Sequence, residues 1–164
     1  MDIFAMYLIF SMLAVIYFDV TRYTIPNWLC GSLILLYPIA IWMAPGTVDW
    51  QMALVAMLVV FAVGYVVFSR GWMGGGDIKL MTACALWVGW HSLLSFVFLV
   101  AIFGGVLSVV LVVGRKVYPF IPKLRDKKPP RIFQKDGPVP YGLAIAAGFL
   151  VYIWTGKIAL LFMG

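Results

Sequence analysis

Charge is what this sequence has least of. Only 11% of its 164 residues are Asp, Glu, Lys or Arg, six are acidic, and there is one histidine. A soluble domain carries about a quarter of its residues as charges, so a water-soluble globule is excluded. Hydrophobic residues make up 65% and the mean hydropathy is +1.06, far more apolar surface than a chain of this length buries by itself. Cysteine is also scarce. Cys30 and Cys84 lie in apolar stretches with no C-x-x-C pair, which excludes a disulfide framework or a zinc site and predicts buried reduced thiols. No metal and no cofactor are expected. The net charge of +6 comes from bases in loops flanking apolar runs, a membrane topology signal, so lipid and not nucleic acid is the expected surrounding. Residues 1–164 read as a single membrane-embedded domain.

The fold expected is an all-α integral membrane protein, a bundle of six transmembrane helices. Ile3 to Phe18 forms the first, a little short of the ~20 residues that cross a bilayer. No basic stretch precedes it and no small-residue cleavage site follows, so a retained helix is expected and not a removed signal. The polar segment DVTRYTIPN follows, with Pro26 closing off the first helix. Trp28 to Met43 is the second span, with Pro38 as a possible kink. Ala44 to Gln51 is a short loop, and Met52 to Phe68 the third span. Ile78 to Trp90 is a short fourth helix, broken by His91 and Ser92. Leu93 to Val113 is the fifth, and Gly114 to Pro140 a long basic cytoplasmic loop. Tyr141 to Phe162 is the sixth, with Lys157 placed to snorkel near its far end.

Orientation follows from the bases. Arg22, Arg70, Lys79 and the run from Arg115 to Lys135 fall on one side of a six-span chain, with Lys157 alone toward the other. The positive-inside rule makes that side cytoplasmic and puts both termini outside. Asp19 and Asp77 then share the cytoplasmic leaflet, and His91 lies opposite them with no catalytic role expected.

Two carboxylates close together in a low-dielectric site do not both ionise. One keeps its proton, and the pair acts as acid and base around a water. Asp77 follows three glycines, Gly74-Gly75-Gly76, where the backbone bends freely and admits close approach. The plainer reading is that Asp77 caps a helix starting at Ile78 and that Asp19 merely ends the first span.

Three landmarks carry a resemblance. Gly74-x-Gly76-Asp77, followed by Ile78-Lys79-Leu80, resembles the G-x-G-D motif of the prepilin peptidases, or type IV leader peptidases. Asp19-Val-Thr-Arg-Tyr-Thr-Ile-Pro-Asn is similar to that family's first aspartate segment. Pro140-Tyr141-Gly142 is similar to its Pro-Phe/Tyr-Gly segment. They occur in the family's order. The resemblance implies an aspartic endopeptidase of a bacterial inner (cytoplasmic) membrane, with Asp19 and Asp77 as the catalytic pair. Gly74, Gly76, Lys79, Pro140, Tyr141 and Gly142 are implied supporting residues. Lys79 either tunes Asp77 or anchors the helix at the headgroups, and Tyr141 either lines the site or is an interface aromatic.

The implied substrate is a prepilin, held by its hydrophobic N-terminal helix and cut at the leader boundary on the cytoplasmic face. Pilus-assembly machinery is a possible further partner. Larger members carry an N-terminal domain with paired C-x-x-C motifs linked to N-methylation. Its cysteines are missing here, so the chain resembles the short members serving Flp-type (tight-adherence) pili, with no methylation expected. A presenilin-type protease fits less well, because its first aspartate follows a tyrosine whereas Phe18 precedes Asp19. The alternatives outside that chemistry are a small transporter, or a pilus-assembly scaffold that uses the same carboxylates to bind ions or pilin.

Overall fold

A computed structural model describes residues 3–43, 48–118 and 139–155, together with residues 130, 132, 134 and 137. Among these residues it is all helical, with six helices. They are α1 (Ile3–Arg22), α2 (Asn27–Met43), α3 (Trp50–Ser69), α4 (Gly75–Val88), α5 (Trp90–Val117) and α6 (Tyr141–Trp154). By length and apolar composition α1, α3 and α5 are each able to cross a membrane, while α2 and α6 are shorter apolar helices.

Several boundaries differ from the expected ones, each for a local reason. Helix α1 continues through Asp19 to Arg22, so its 20 residues span about 30 Å and the expected shortfall disappears. The chain leaves α1 at Tyr23, which has a left-handed φ of 54°, and its amide closes the last turn on the Asp19 carbonyl at 3.1 Å. Between α4 and α5 the break is Gly89, at φ 72° and ψ 172°, a region open essentially to glycine alone. His91 and Ser92 therefore lie in the first turn of α5 and do not break the chain. At its other end α5 absorbs the first residues of the expected basic loop. There the Arg115 guanidinium donates to the carbonyls of Ile132, at 3.1 Å, and Gly137, at 2.7 Å. Most of that loop, the end of the expected sixth span and Lys157 lie outside the described residues.

The short helix α4 is the hub. It packs against α2, α3, α5 and α6, and its residues from Thr82 to Val88 are all buried. Trp87 is fixed there by its indole N–H, which donates to the Leu33 carbonyl at 3.0 Å, and by an edge contact with Tyr37 at 5.3 Å between ring centroids. Helix α3 comes close to α4 because Gly64 has no side chain: a Cβ there would lie 2.6 Å from Ile78 Cγ2. Small residues let backbones approach where apolar burial alone cannot drive helices together. Helix α6 closes the other side through Phe96 on Phe149, centroids 6.0 Å apart, and through the Tyr152 hydroxyl, which donates to the Val88 carbonyl at 3.2 Å. Cys30 and Cys84 are buried free thiols in this core, as their setting in the sequence predicts.

Candidate active site

One end of the bundle holds a cavity of about 630 Å³, built where α1, α4 and α6 meet and walled by the segments before α2 and α4. Asp19, Asp77, Gly74, Gly76 and Tyr141 all line it. Helix ends explain how a chain this apolar holds two acids here.

Asp19 sits one turn before the C-terminus of its own helix, where the helix dipole disfavours a negative charge. Its carboxylate instead reaches the N-terminus of α6. Pro140 is the N-cap of that helix and makes no side-chain cap hydrogen bond. Asp19 supplies the missing acceptor from another helix: Oδ2 accepts from the Leu143 amide at 2.9 Å. Gly142 allows the approach. A Cβ there would lie 2.8 Å from Asp19 Oδ2 and 2.8 Å from Ile25 Cδ1, closer than real side chains tolerate. The three residues Pro140-Tyr141-Gly142 thus have separate tasks. Pro140 starts the helix without an amide to satisfy, Tyr141 faces the cavity, and Gly142 admits the carboxylate. Asp19 is 4% exposed.

Asp77 is the third residue of α4, which starts at Gly75 and not at Ile78. Gly74 is the N-cap and makes no side-chain cap hydrogen bond, and the Asp77 side chain folds back over it from the third position of the helix. A Cβ on Gly74 would lie 3.0 Å from Asp77 Oδ2. A place in the first turn of α4 accounts for only part of the setting. Asp77 lies ahead of the apolar run of α4, and burial first and the Asp19 charge second push its carboxyl up to about 6, against the opposing pull of the Gly74 and Gly142 amides. The start of α6 meets Asp19 directly, at Gly142 and Leu143. Two carboxylates, each met by a helix N-terminus, can share one proton and polarise a water between acid and base.

Lys79 does not reach the acids. Its ammonium donates to Asn27 Oδ1 at 2.9 Å, tying the start of α2 to α4. Neither Ile25 nor Asn27 is among the residues expected to support the site. Ile25 is buried and serves as the wedge, since Cβ atoms on Gly76 and Gly142 would both meet its side chain, at 3.4 and 2.8 Å. The Ile-Pro-Asn run carried the signal: an apolar residue between an aspartate and a proline, in an otherwise polar link. Tyr23, Trp72 and Met73 also wall the cavity, and no pattern in the sequence marks them. His91 lines a separate cavity with Asp49, away from both acids.

A model of the type IV leader peptidase family matches residues 6–109, a stretch that holds Asp19, Ile25, Asn27 and the Gly74–Asp77 turn. No curated protein and no solved structure matches the chain. The third landmark, at 140–142, lies beyond the matched stretch, yet it packs directly on Asp19. The family match covers well over half of the sequence, and the chain belongs to the type IV leader peptidase family.

Proposed function

We propose that the chain is an aspartic endopeptidase that removes the short basic leader from prepilins of the Flp type, with Asp19 and Asp77 as its dyad. The observation that carries this reading is the convergence of two carboxylates from α1 and α4 on one cavity at the N-terminus of α6. In the active state the pair holds one proton. The ionised carboxylate takes a proton from a water, whose oxygen attacks the scissile carbonyl carbon, while the protonated carboxyl gives its proton to the carbonyl oxygen. The resulting diol breaks its C–N bond as the amine leaves with a proton returned from the dyad. The two acids titrate as a unit, and either can be written as the base.

The same reading places six helices across a bacterial inner membrane, as one domain, with the cavity on the cytoplasmic side. Arg22 and Arg70 lie at the cavity end, with their guanidinium groups over Phe18 and Trp72 at 5.3 and 5.4 Å, suited to the headgroup layer. The substrate is held by its apolar helix, and pilus-assembly proteins are the further partners this role implies. The test is co-expression with a tagged Flp-type prepilin, followed by band shift and N-terminal sequencing. Cleavage in the wild type, lost in both Asp19→Asn and Asp77→Asn with membrane insertion retained, is the expected result. Cleavage that survives either change removes the dyad, and a wild type that cleaves no such pilin returns the chain to the transporter or scaffold class.

A further inference from the structure

Helices α2 and α3 both pack on α4 but scarcely touch each other. The gap between them is a trough with α4 as its floor. Its part nearer the acids is a hollow of about 250 Å³, with Asn27, Gly31, Phe61, Lys79 and Thr82 on its walls. Its farther part is a hollow of about 320 Å³ between Ile34, Leu54, Met57 and Leu86. Ile34 borders both hollows, and Asn27 borders the first hollow and the cavity of the two aspartates. From Asn27 to Ile41 the trough follows α2 for about 21 Å at 1.5 Å per residue, the length of roughly four helical turns.

We propose that this trough seats the transmembrane helix of the substrate, in an inference that rests on the peptidase reading above. Three features favour a peptide helix over a lipid chain as the occupant. The trough is continuous with the candidate active site through Asn27, so a helix lying in it delivers its cytoplasmic end to Asp19 and Asp77. Its floor contains the Thr82 hydroxyl, which is buried and has no hydrogen-bond partner among the described residues. A helix can meet that group with a side chain or a tilted carbonyl, whereas a hydrocarbon tail cannot. Gly31 leaves the wall open, since a Cβ there meets no atom within 4 Å. That clearance gives a neighbouring helix room to approach closely.

The test pairs a crosslink with a block, both in the full-length protein in membranes. A photoreactive phenylalanine is placed at Phe61 or Leu54 in the Asp77→Asn background, and at Leu94 on α5, 85% exposed, as the comparison. The expected result is a covalent adduct with a co-expressed tagged prepilin from the two trough positions and none from Leu94. Equal adducts at all three, or adducts with lipid alone, overturn the proposal. Separately, Gly31→Leu fills the trough where the free protein has space, and it lowers kcat/KM for the full-length prepilin about tenfold through KM with kcat kept, the signature of lost uniform binding. Gly105→Leu on α5, equally unobstructed, changes nothing. Wild-type kinetics in Gly31→Leu overturn the proposal. Cleavage that survives Asp77→Asn instead sinks the dyad, and the crosslink pattern still decides the trough.

Discussion

The two ends of this bundle use aspartate differently. At one end Asp49 is the N-cap of its own helix: Oδ1 accepts from the Met52 amide at 3.2 Å, in an exposed position. At the other end Asp77 also turns back on the first turn of its own helix, yet it is half-buried and shares a cavity with a second acid. Asp19 goes further and caps a helix distant in the chain. Each of the three carboxylates lies at the start of a helix. The difference lies in burial and in the neighbouring charge, which turn a capping residue into one that holds a proton near neutrality. A carboxylate at a helix N-terminus is therefore no sign of chemistry by itself; a pair of them, withdrawn from water and lining one cavity, is a candidate for it.

Replacing the acids breaks that comparison most directly. Asp19→Asn and Asp77→Asn each keep shape and polarity but remove the shared proton, so prepilin cleavage should fall by roughly 10³-fold. Asp49→Asn should leave it unchanged. A comparable loss in the Asp49 variant would mean that the two ends are not functionally distinct. The next largest effect tests the positioning of Asp19. In Gly142→Ala a Cβ appears 2.9 Å from the Asp19 carboxylate carbon, and the acid or the start of α6 must move. A displacement approaching 1 Å costs about 10²-fold, measured as kcat in protein that inserts and purifies normally. Gly105→Ala on α5, where a Cβ meets nothing within 4 Å, is the matched control.

Much of this site is legible in the residue order alone, for a physical reason. Acids are so scarce and so costly in an apolar chain that Asp19 and Asp77 stand out, and the distribution of bases puts them on one side. What the residue order does not convey is which helix end faces which acid. Asp19 reaches α6 across 124 positions of sequence, and nothing local to Pro140 or Gly142 announces that partner. The shifted helix boundaries have a similar origin. Glycines at 75 and 76 read as a loop by propensity, but the packing of Ile78 against Gly64 holds them as the first turn of α4. His91 and Ser92 read as a polar break, yet at a helix start polar side chains cost little, and the turn is made by Gly89.

Acidity sharpens the comparison further. Burial and the Asp19 charge raise the Asp77 carboxyl to about 6, so its proton is present below that pH and leaves as pH rises through it. On the proposed mechanism the catalytic form has one proton on the pair. Cleavage in proteoliposomes should therefore decline on the alkaline side of about pH 6, approaching about tenfold per pH unit well above it. None of the flanking bases pairs with Asp77: Lys79 donates to Asn27, while Arg22 and Arg70 lie over aromatic rings. A flat profile from pH 5 to 9 would show that chemistry is not governed by a shared proton.

The smallest effect belongs to the other end of the molecule. Asp49→Ala removes one cap from α3, and such a loss typically costs about 1 kcal/mol. Thermal unfolding in detergent should move down slightly, with kcat/KM for prepilin unaltered. The separation of the two readouts is the point of the measurement. Helix α3 packs closely on α4 through Gly64 and Ile78, and Ile78 adjoins Asp77, so a loosened α3 has a direct mechanical route to the acid. If the bundle transmits strain along that contact, cleavage will drop together with stability. If cleavage holds while stability falls, then Asp77 is positioned by its own turn, where its carboxylate lies close over Gly74, and not by α3.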